Sequence, residues 1–390
     1  MGVAVALAIG LTCLLGSSTP VSAASSTPAL AGDGVCELGG HLGNVSQLNG
    51  YSLVIGDAAD AGRLAALPGT TLAYFAAPDV NTKWNAGVSY HDALANGWLL
   101  KDGSGNLLKN LGFPDNDIGD VGSDGYQHAF LANALAYLHA HPGIAGIYID
   151  DVLSDLKPMT GVEAAEYPTQ QAWADAQLSF VRTVGSALRA KGYYVLVNAS
   201  AFIPGDSDSD TGATTVSWWK ELGPYVSGLM DESYAQASDG SDRLRTTGSA
   251  WYQNWDGWQR LVQVAQSMGK DFVGVTYGGA GDTQAMTYGK SSFLLDWDGT
   301  GGAFIYTPKD GSDPTNAAST IQVGKPAGLK TQVGVGWMRT YTGGVVLVDP
   351  SASTSQTFRL GGTYLTSSGA LVTSVTLSPT SGMILRAAGL

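Results

Sequence analysis

Charge is scarce in this chain: Asp, Glu, Lys and Arg make up 14% of its 390 residues, and only 20 of them are basic against 33 acidic. The resulting net charge of −13 repels phosphate backbones and excludes nucleic acid as a partner. It suits a neutral or cationic substrate. Cysteine is nearly missing. Of the two present, Cys13 lies in an apolar N-terminal stretch and Cys36 stands alone after it, so no internal disulfide is available to hold the fold. Histidine is sparse as well: the five, at 41, 91, 128, 139 and 141, show no zinc spacing, and His139 and His141 point apart near a helix end. Asp206-Ser-Asp-Ser-Asp-Thr-Gly212 approaches a calcium loop, but Thr211 stands where Gly is required and the closing Glu is missing. No Gly-x-Ser-x-Gly occurs, which removes the serine-hydrolase elbow, and no phosphate-cradling glycine loop follows a strand. Neither a metal nor a cofactor is expected. What the chain does have is 44% hydrophobic residues, with 10 Trp and 17 Tyr, which is ample for a large core and incompatible with disorder. Some of those flat rings suit stacking against sugars.

Met1–Gly16 is apolar and uncharged, and Val21-Ser-Ala23 fits the small-x-small pattern of a cleavage site. Residues 1–23 therefore read as a signal peptide and 24–33 as an unstructured leader, which implies secretion. The apolar stretch is too short, and its flank too rich in Ser and Thr, for a membrane span. After the leader, strand-like runs alternate with helical ones. The strand candidates are Tyr51–Asp57, Thr71–Ala76, Trp98–Lys101, Ile144–Asp150, Tyr193–Asn198, Val226–Glu232, Asp271–Tyr277 and Gly302–Tyr306. Helical patterns are clearest at Gln127–His139, Gln170–Lys191, Trp255–Met268 and Thr283–Leu295. Strands alternating with helices at this length predict a (β/α)₈ TIM barrel over 34–318. Beyond Thr307 turn chemistry takes over and helices vanish; short runs separated by Gly, Ser and Pro predict a small antiparallel β-sandwich over 319–390. Nothing in the pattern fixes an oligomeric state.

The chemistry is concentrated where two runs end in acids. Gly146-Ile-Tyr-Ile-Asp-Asp151 is a doubly buried strand stopping in two carboxylates, and Gly228-Leu-Met-Asp-Glu232 repeats the arrangement. Catalytic groups of barrel enzymes sit at that carboxyl face. Hydrolysing a glycoside takes one ionised carboxylate and one protonated carboxylic acid. Asp150 suits the ionised role and Glu232, with its longer arm, the acid; the plain alternative for Asp150 is helix capping, for which Asp151 is better placed. Side chains alternate along a strand, so only one of Asp231 and Glu232 can face the cleft, and spacing alone does not choose. Asp57, Tyr74, Asn198, Tyr277 and Tyr306 also end strands, and Trp84, Trp218, Trp219 and Trp251 fall in the loops after them. Together they predict a cleft lined for carbohydrate, with each residue alone equally compatible with a core role.

At this point the chain resembles a known group. Tyr51-Ser-Leu-Val-Ile-Gly-Asp57, Trp98-Leu-Leu-Lys-Asp-Gly-Ser-Gly105, Gly146-Ile-Tyr-Ile-Asp-Asp151, Gly228-Leu-Met-Asp-Glu-Ser-Tyr234, and a tail with Gly324-Lys-Pro, Gly343-Gly-Val-Val-Leu-Val-Asp-Pro350 and Ser381-Gly-Met-Ile-Leu385 resemble glycosyl hydrolase-like family 15. More distantly the chain is similar to the endo-α-1,4-polygalactosaminidase barrels. The resemblance implies a TIM-barrel glycosidase and places a Glu at position 232, which favours Glu232 over Asp231. Where the family pattern has Asp followed by Asn, this chain has Asp150 and Asp151, which leaves open which carboxylate acts. An acid on strand four with a partner on strand six is similar to retaining α-glycosidases, so the resemblance implies Asp150 as nucleophile and Glu232 as acid/base. Asp57, Tyr74, Trp84, Asp151, Asn198, Asp231, Tyr234 and Tyr277 are expected to bind substrate. A retaining pair lies roughly 5–5.5 Å apart and an inverting pair about 6.5–9.5 Å. A non-catalytic sugar-binding barrel and a transglycosylase using the same pair are the alternatives.

Overall fold

The computed structural model describes residues 32–37, 48–83, 87–199, 213–236, 243–248, 254–279, 281–308 and 322–389. Seven strands form a continuous, nearly closed parallel sheet: β2 (Leu53–Asp57), β3 (Thr70–Ala76), β4 (Gly146–Asp150), β5 (Tyr194–Asn198), β6 (Gly228–Asp231), β7 (Asp271–Gly278) and β8 (Ala303–Pro308). A short strand, β1 (Gly32–Glu37), pairs with both free edges, Gly32 with Ala303 and Gly34 with Leu53, and completes the ring. Five longer helices cover the outside: α1 (Asp124–Ala140), α2 (Gln170–Ala190), α3 (Ala213–Leu222), α4 (Trp255–Ser267) and α5 (Thr283–Asp296).

The strands are apolar on both faces because both faces are covered. Alternate residues divide between them. Leu53, Ile55, Leu72, Tyr74, Tyr148, Leu196, Met230, Val273, Val275, Ala303 and Ile305 fill the barrel interior. Val54, Ala73, Phe75, Ile147, Ile149, Val195, Val197, Leu229, Phe272 and Phe304 face the helices. This two-residue period decides the direction of every group at the carboxyl ends. Asp150 shares the parity of Tyr148, and Glu232 continues that of Met230, so both turn inward. Asp231 follows Leu229 outward.

One expected barrel strand is not one. Trp98–Lys101 lies in the long excursion between β3 and β4, where Leu99 bridges Gly119 and Lys101 bridges Leu107; Trp98 packs edge-on against Tyr126 of α1. Its place in the ring goes to β1, whose sequence Gly-Asp-Gly-Val-Cys-Glu carries no apolar run.

The C-terminal strands are β9 (Thr331–Val333), β10 (Gly336–Tyr341), β11 (Gly344–Asp349), β12 (Gln356–Leu365), β13 (Leu371–Leu377) and β14 (Ser381–Ala387). They hydrogen-bond as one antiparallel sheet in the order β9-β10-β11-β14-β12-β13, rather than as the two sheets of a sandwich. The register of β12 slips between Arg359 and Tyr364, and β12 joins β14 only at its far end. Phe358 is thereby buried with Val345, Leu347 and Leu385 in a core of the sheet's own. Helix α5 is shared by barrel and sheet. Arg339 donates to the carbonyls of Leu294, Leu295 and Trp297 at its C-terminal end, where the helix leaves carbonyls unpaired and favours a cation. Tyr341 donates to Leu294 as well. Gly382 lets β14 approach closely, since a Cβ there would lie 2.7 Å from Ser291 Cβ and 2.8 Å from the Thr287 carbonyl.

Candidate active site

Four donors converge on Asp150 where β4 ends. Tyr74 Oη donates to Oδ2 at 2.8 Å. Oδ1 receives Tyr148 Oη at 3.0 Å, Asn198 Nδ2 at 2.8 Å and the Asp151 N–H at 2.9 Å. The donors come from β3, β4 and β5, so three neighbouring strands aim one carboxylate into the mouth of the barrel. The rings of Tyr74 and Tyr148 pack against each other, 5.5 Å between centroids. Burial and the adjacent Asp150 push the Tyr74 phenol far above its ordinary range, so it remains a donor.

Glu232 lies one residue past β6 and across the mouth. Tyr148 Oη is 3.4 Å from Glu232 Oε1, so one hydroxyl spans the two carboxyls. The two legs together cap the separation of Asp150 Oδ1 and Glu232 Oε1 just below the roughly 6.5 Å at which inverting pairs begin. Burial above all, then the charge of Asp150, pushes the Glu232 carboxyl up to about 8, against hydrogen bonds from Asn198 and Tyr148 that pull it down. A group so placed keeps its proton at neutral pH.

Two further acids crowd the mouth. Asp151 adopts a left-handed conformation with φ of 58°, uncommon for a non-glycine residue and costly by about 1–3 kcal/mol. Its neighbours hold it there: its carbonyl accepts Gln177 Nε2 of α2 at 3.1 Å, and Val152 N donates to the Asn198 carbonyl at 3.1 Å. Burial, followed by Asp150, Asp79 and Glu232, raises the Asp151 carboxyl well above the ordinary carboxylate range. Asp79 is buried behind it, accepting Asn110 Nδ2 at 3.1 Å and Asn116 Nδ2 at 2.6 Å. Desolvation raises it despite those amides.

Of the expected cleft residues, Asp150, Glu232, Tyr74, Asn198 and Asp151 are thus brought together. Asp57 and Tyr277 take the inward parity at the ends of β2 and β7, and Tyr277 packs on the interior cluster. Asp231 and Tyr234 do not reach the mouth. Asp231 is buried behind the barrel wall, accepting Trp258 Nε1 at 3.1 Å and Ser233 N at 2.8 Å. Tyr234 is core: it packs on Phe272 and receives Gln259 Nε2 on its hydroxyl at 2.7 Å. Trp218 and Trp219, expected in a loop, are buried on α3 and donate to the carbonyls of Val152 and Ala199; Tyr306 points outward and donates to the Gly279 carbonyl. Trp84, Trp251 and the 206–212 acidic loop lie outside the described residues. Sequence reasoning missed Tyr148 and Asp79. Tyr148 was legible as the inward residue two before Asp150; Asp79 carries no pattern.

The profile of hypothetical glycosyl hydrolase family 15 matches residues 70–345, more than half of the chain. No curated protein matches the sequence. Among solved structures, a noncanonic maltogenic α-amylase from Thermotoga neapolitana is 10% identical, with TM-score 0.50, over 89% of this chain and 93% of its own. Aspergillus fumigatus Ega3, solved with galactosamine, is 13% identical with TM-score 0.42, over 72% of this chain and 92% of that one. An α-L-fucosidase of Paenibacillus thiaminolyticus is 12% identical with TM-score 0.45, over 74% and 47% respectively. The chain belongs to hypothetical glycosyl hydrolase family 15 and is a carbohydrate-active enzyme of the glycoside hydrolase class.

Proposed function

We propose that the protein is a secreted, retaining glycoside hydrolase built on a (β/α)₈ barrel and acting on an α-linked polysaccharide or oligosaccharide. The observation that carries this reading is the Tyr148 hydroxyl, 3.0 Å from Asp150 and 3.4 Å from Glu232. It keeps the facing oxygens of two carboxyls in different environments within the separation at which inverting pairs begin, which supports a retaining pair. Asp150, oriented by Tyr74, Tyr148, Asn198 and the Asp151 amide, attacks the anomeric carbon. Glu232 gives its proton to the departing oxygen. A covalent glycosyl-enzyme results; Glu232, now ionised, takes a proton from water as the water attacks the same carbon, and Asp150 leaves. Two such displacements retain the anomeric configuration.

The α linkage is carried over from the resemblance of an acid on strand four and a partner on strand six to retaining α-glycosidases. Secretion is supported by the apolar Met1–Gly16 and the Val21-Ser-Ala23 cleavage pattern. The Asp150 carboxylate and the net charge of −13 disfavour uronic or sulfated sugars by like-charge repulsion.

The test sets wild type beside Asp150→Asn on a polysaccharide panel, with products read by mass spectrometry and the first-formed anomer by ¹H NMR. The expected result is oligosaccharides with retained configuration from wild type and a rate at least about 10³-fold lower from the variant. Inverted product would overturn the retaining mechanism, and equal rates would take Asp150 out of it.

A further inference from the structure

We infer that Arg245 is a positioning residue for Glu232, and that the C-terminal sheet keeps it in place. The inference rests on the acid/base role of Glu232 proposed above. Glu232 stands between two residues whose polar atoms are gripped from behind the barrel wall. Before it, Asp231 accepts Trp258 Nε1 at 3.1 Å and the N–H of Ser233 at 2.8 Å, which closes a tight turn around position 232. After it, the Ser233 carbonyl accepts Arg245 Nε at 2.9 Å, and the Ala235 carbonyl accepts the Arg245 N–H at 3.0 Å.

The guanidinium lies over the Trp258 indole, its Cζ 3.5 Å from the ring centroid. That is the same indole that donates to Asp231. Arg245 also interacts electrostatically with Asp231, lowering a carboxyl that burial raises. At 1% exposure, such a cation is expensive to bury unless paired and fully bonded. Through the Ser233 carbonyl, the Trp258 indole and Asp231 it grips the turn that holds Glu232.

The other side of Arg245 leads to the C-terminal sheet. Its carbonyl accepts the hydroxyl of Tyr288, on α5, at 2.6 Å. Two residues on, the Thr247 N–H donates at 2.9 Å to Pro350, the residue following β11. A chain of contacts therefore runs from β11 through Thr247 and Arg245 to Ser233 and the neighbouring acid. Lysine could supply the charge at 245 but not the flat fork that stacks on an indole while bonding a carbonyl.

The groups acting on the Glu232 carboxyl are Asp150, Asp151, Tyr148 and Asn198 at the mouth, and Asp231 through its charge from behind the wall. If the turn loosens, the carboxyl separates from the first of these and meets water, and its titration reports the movement. Only five glutamates occur in the chain, so carboxyl-¹³C glutamate labelling and NMR can follow Glu232 without any substrate. Its signal is assigned by its loss in Glu232→Gln. In wild type the midpoint is expected at about 8. In Arg245→Met it should fall by about one pH unit or more toward the ordinary value near 4.3. Arg245→Lys should shift it less, in the same direction, and millimolar guanidinium should restore Arg245→Met. Thermal melts and near-ultraviolet dichroism of each variant verify folding. An unshifted midpoint in folded Arg245→Met overturns the inference; if that variant does not fold, an unshifted midpoint in Arg245→Lys does so. A wild-type midpoint in the ordinary range would instead remove the acid/base reading of Glu232 on which it rests.

Discussion

Tyr148 has one proton to give and two carboxyls within reach of it. With Glu232 protonated, the phenol donates to Asp150; with Glu232 ionised, the same proton can turn across. Its hydrogen bond favours the ionised form of Glu232, so removing the hydroxyl raises that carboxyl further above about 8. Tyr148→Phe should therefore move the alkaline limb of kcat/KM to higher pH while lowering the maximal rate by about 10–100-fold, the worth of one bond to a charged group. A limb that stays put would separate Tyr148 from the acid. Glu232 has a second consequence, for stability. Folded, it holds its proton up to about 8; unfolded, it ionises near 4.3. Between those values the native state binds the extra proton, so stability falls as pH rises through the window and levels beyond it. Glu232→Gln abolishes that penalty. Its melting temperature should exceed that of wild type at pH 8 and match it near pH 4, which differential scanning calorimetry can check.

At the scale of elements, β14 and α5 are joined by something missing, the side chain of Gly382. Gly382→Ala should push the sheet off the helix and cost about 1–3 kcal/mol, measured by urea unfolding. Little change would mean that α5 yields. The buried strands β2 to β8 were legible because runs such as Ile144–Ile149 read as strands covered on both faces. Their direction was not: Leu229 and Met230 are equally apolar, so spacing left Asp231 and Glu232 open, the family resemblance favoured Glu232, and strand parity turns Glu232 inward. Trp98–Lys101 failed for the opposite reason, since its apolar residues pack under a loop rather than in the wall. β1 went unseen because two glycines and two acids look like a linker and become a strand only between two waiting edges. The single sheet at the C-terminus was hidden because short alternating strands read alike whether they close as one sheet or two.

For the whole molecule, charge is the governing quantity. A net charge of −13, with the Asp150 carboxylate at the mouth, makes the protein an attractor of cations. KM for a cationic oligosaccharide should rise as salt is raised from about 10 mM to 0.5 M, because screening removes the attraction. KM for a neutral oligosaccharide of the same length should stay flat, and steady-state kinetics at several ionic strengths distinguish the two. A cationic substrate whose KM ignores salt would show that the field contributes nothing to capture. Closure of the ring has a bearing on time as well as shape. Gly32 pairs with Ala303, so the barrel wall is sealed by its first strand meeting its last. The entropy of closing so long a loop is spent before any contact rewards it, and non-local pairing of this kind is slow. During synthesis the first strand has no second neighbour until nearly the whole barrel has left the ribosome, so until then the nascent chain stays open and its unpaired edges invite aggregation.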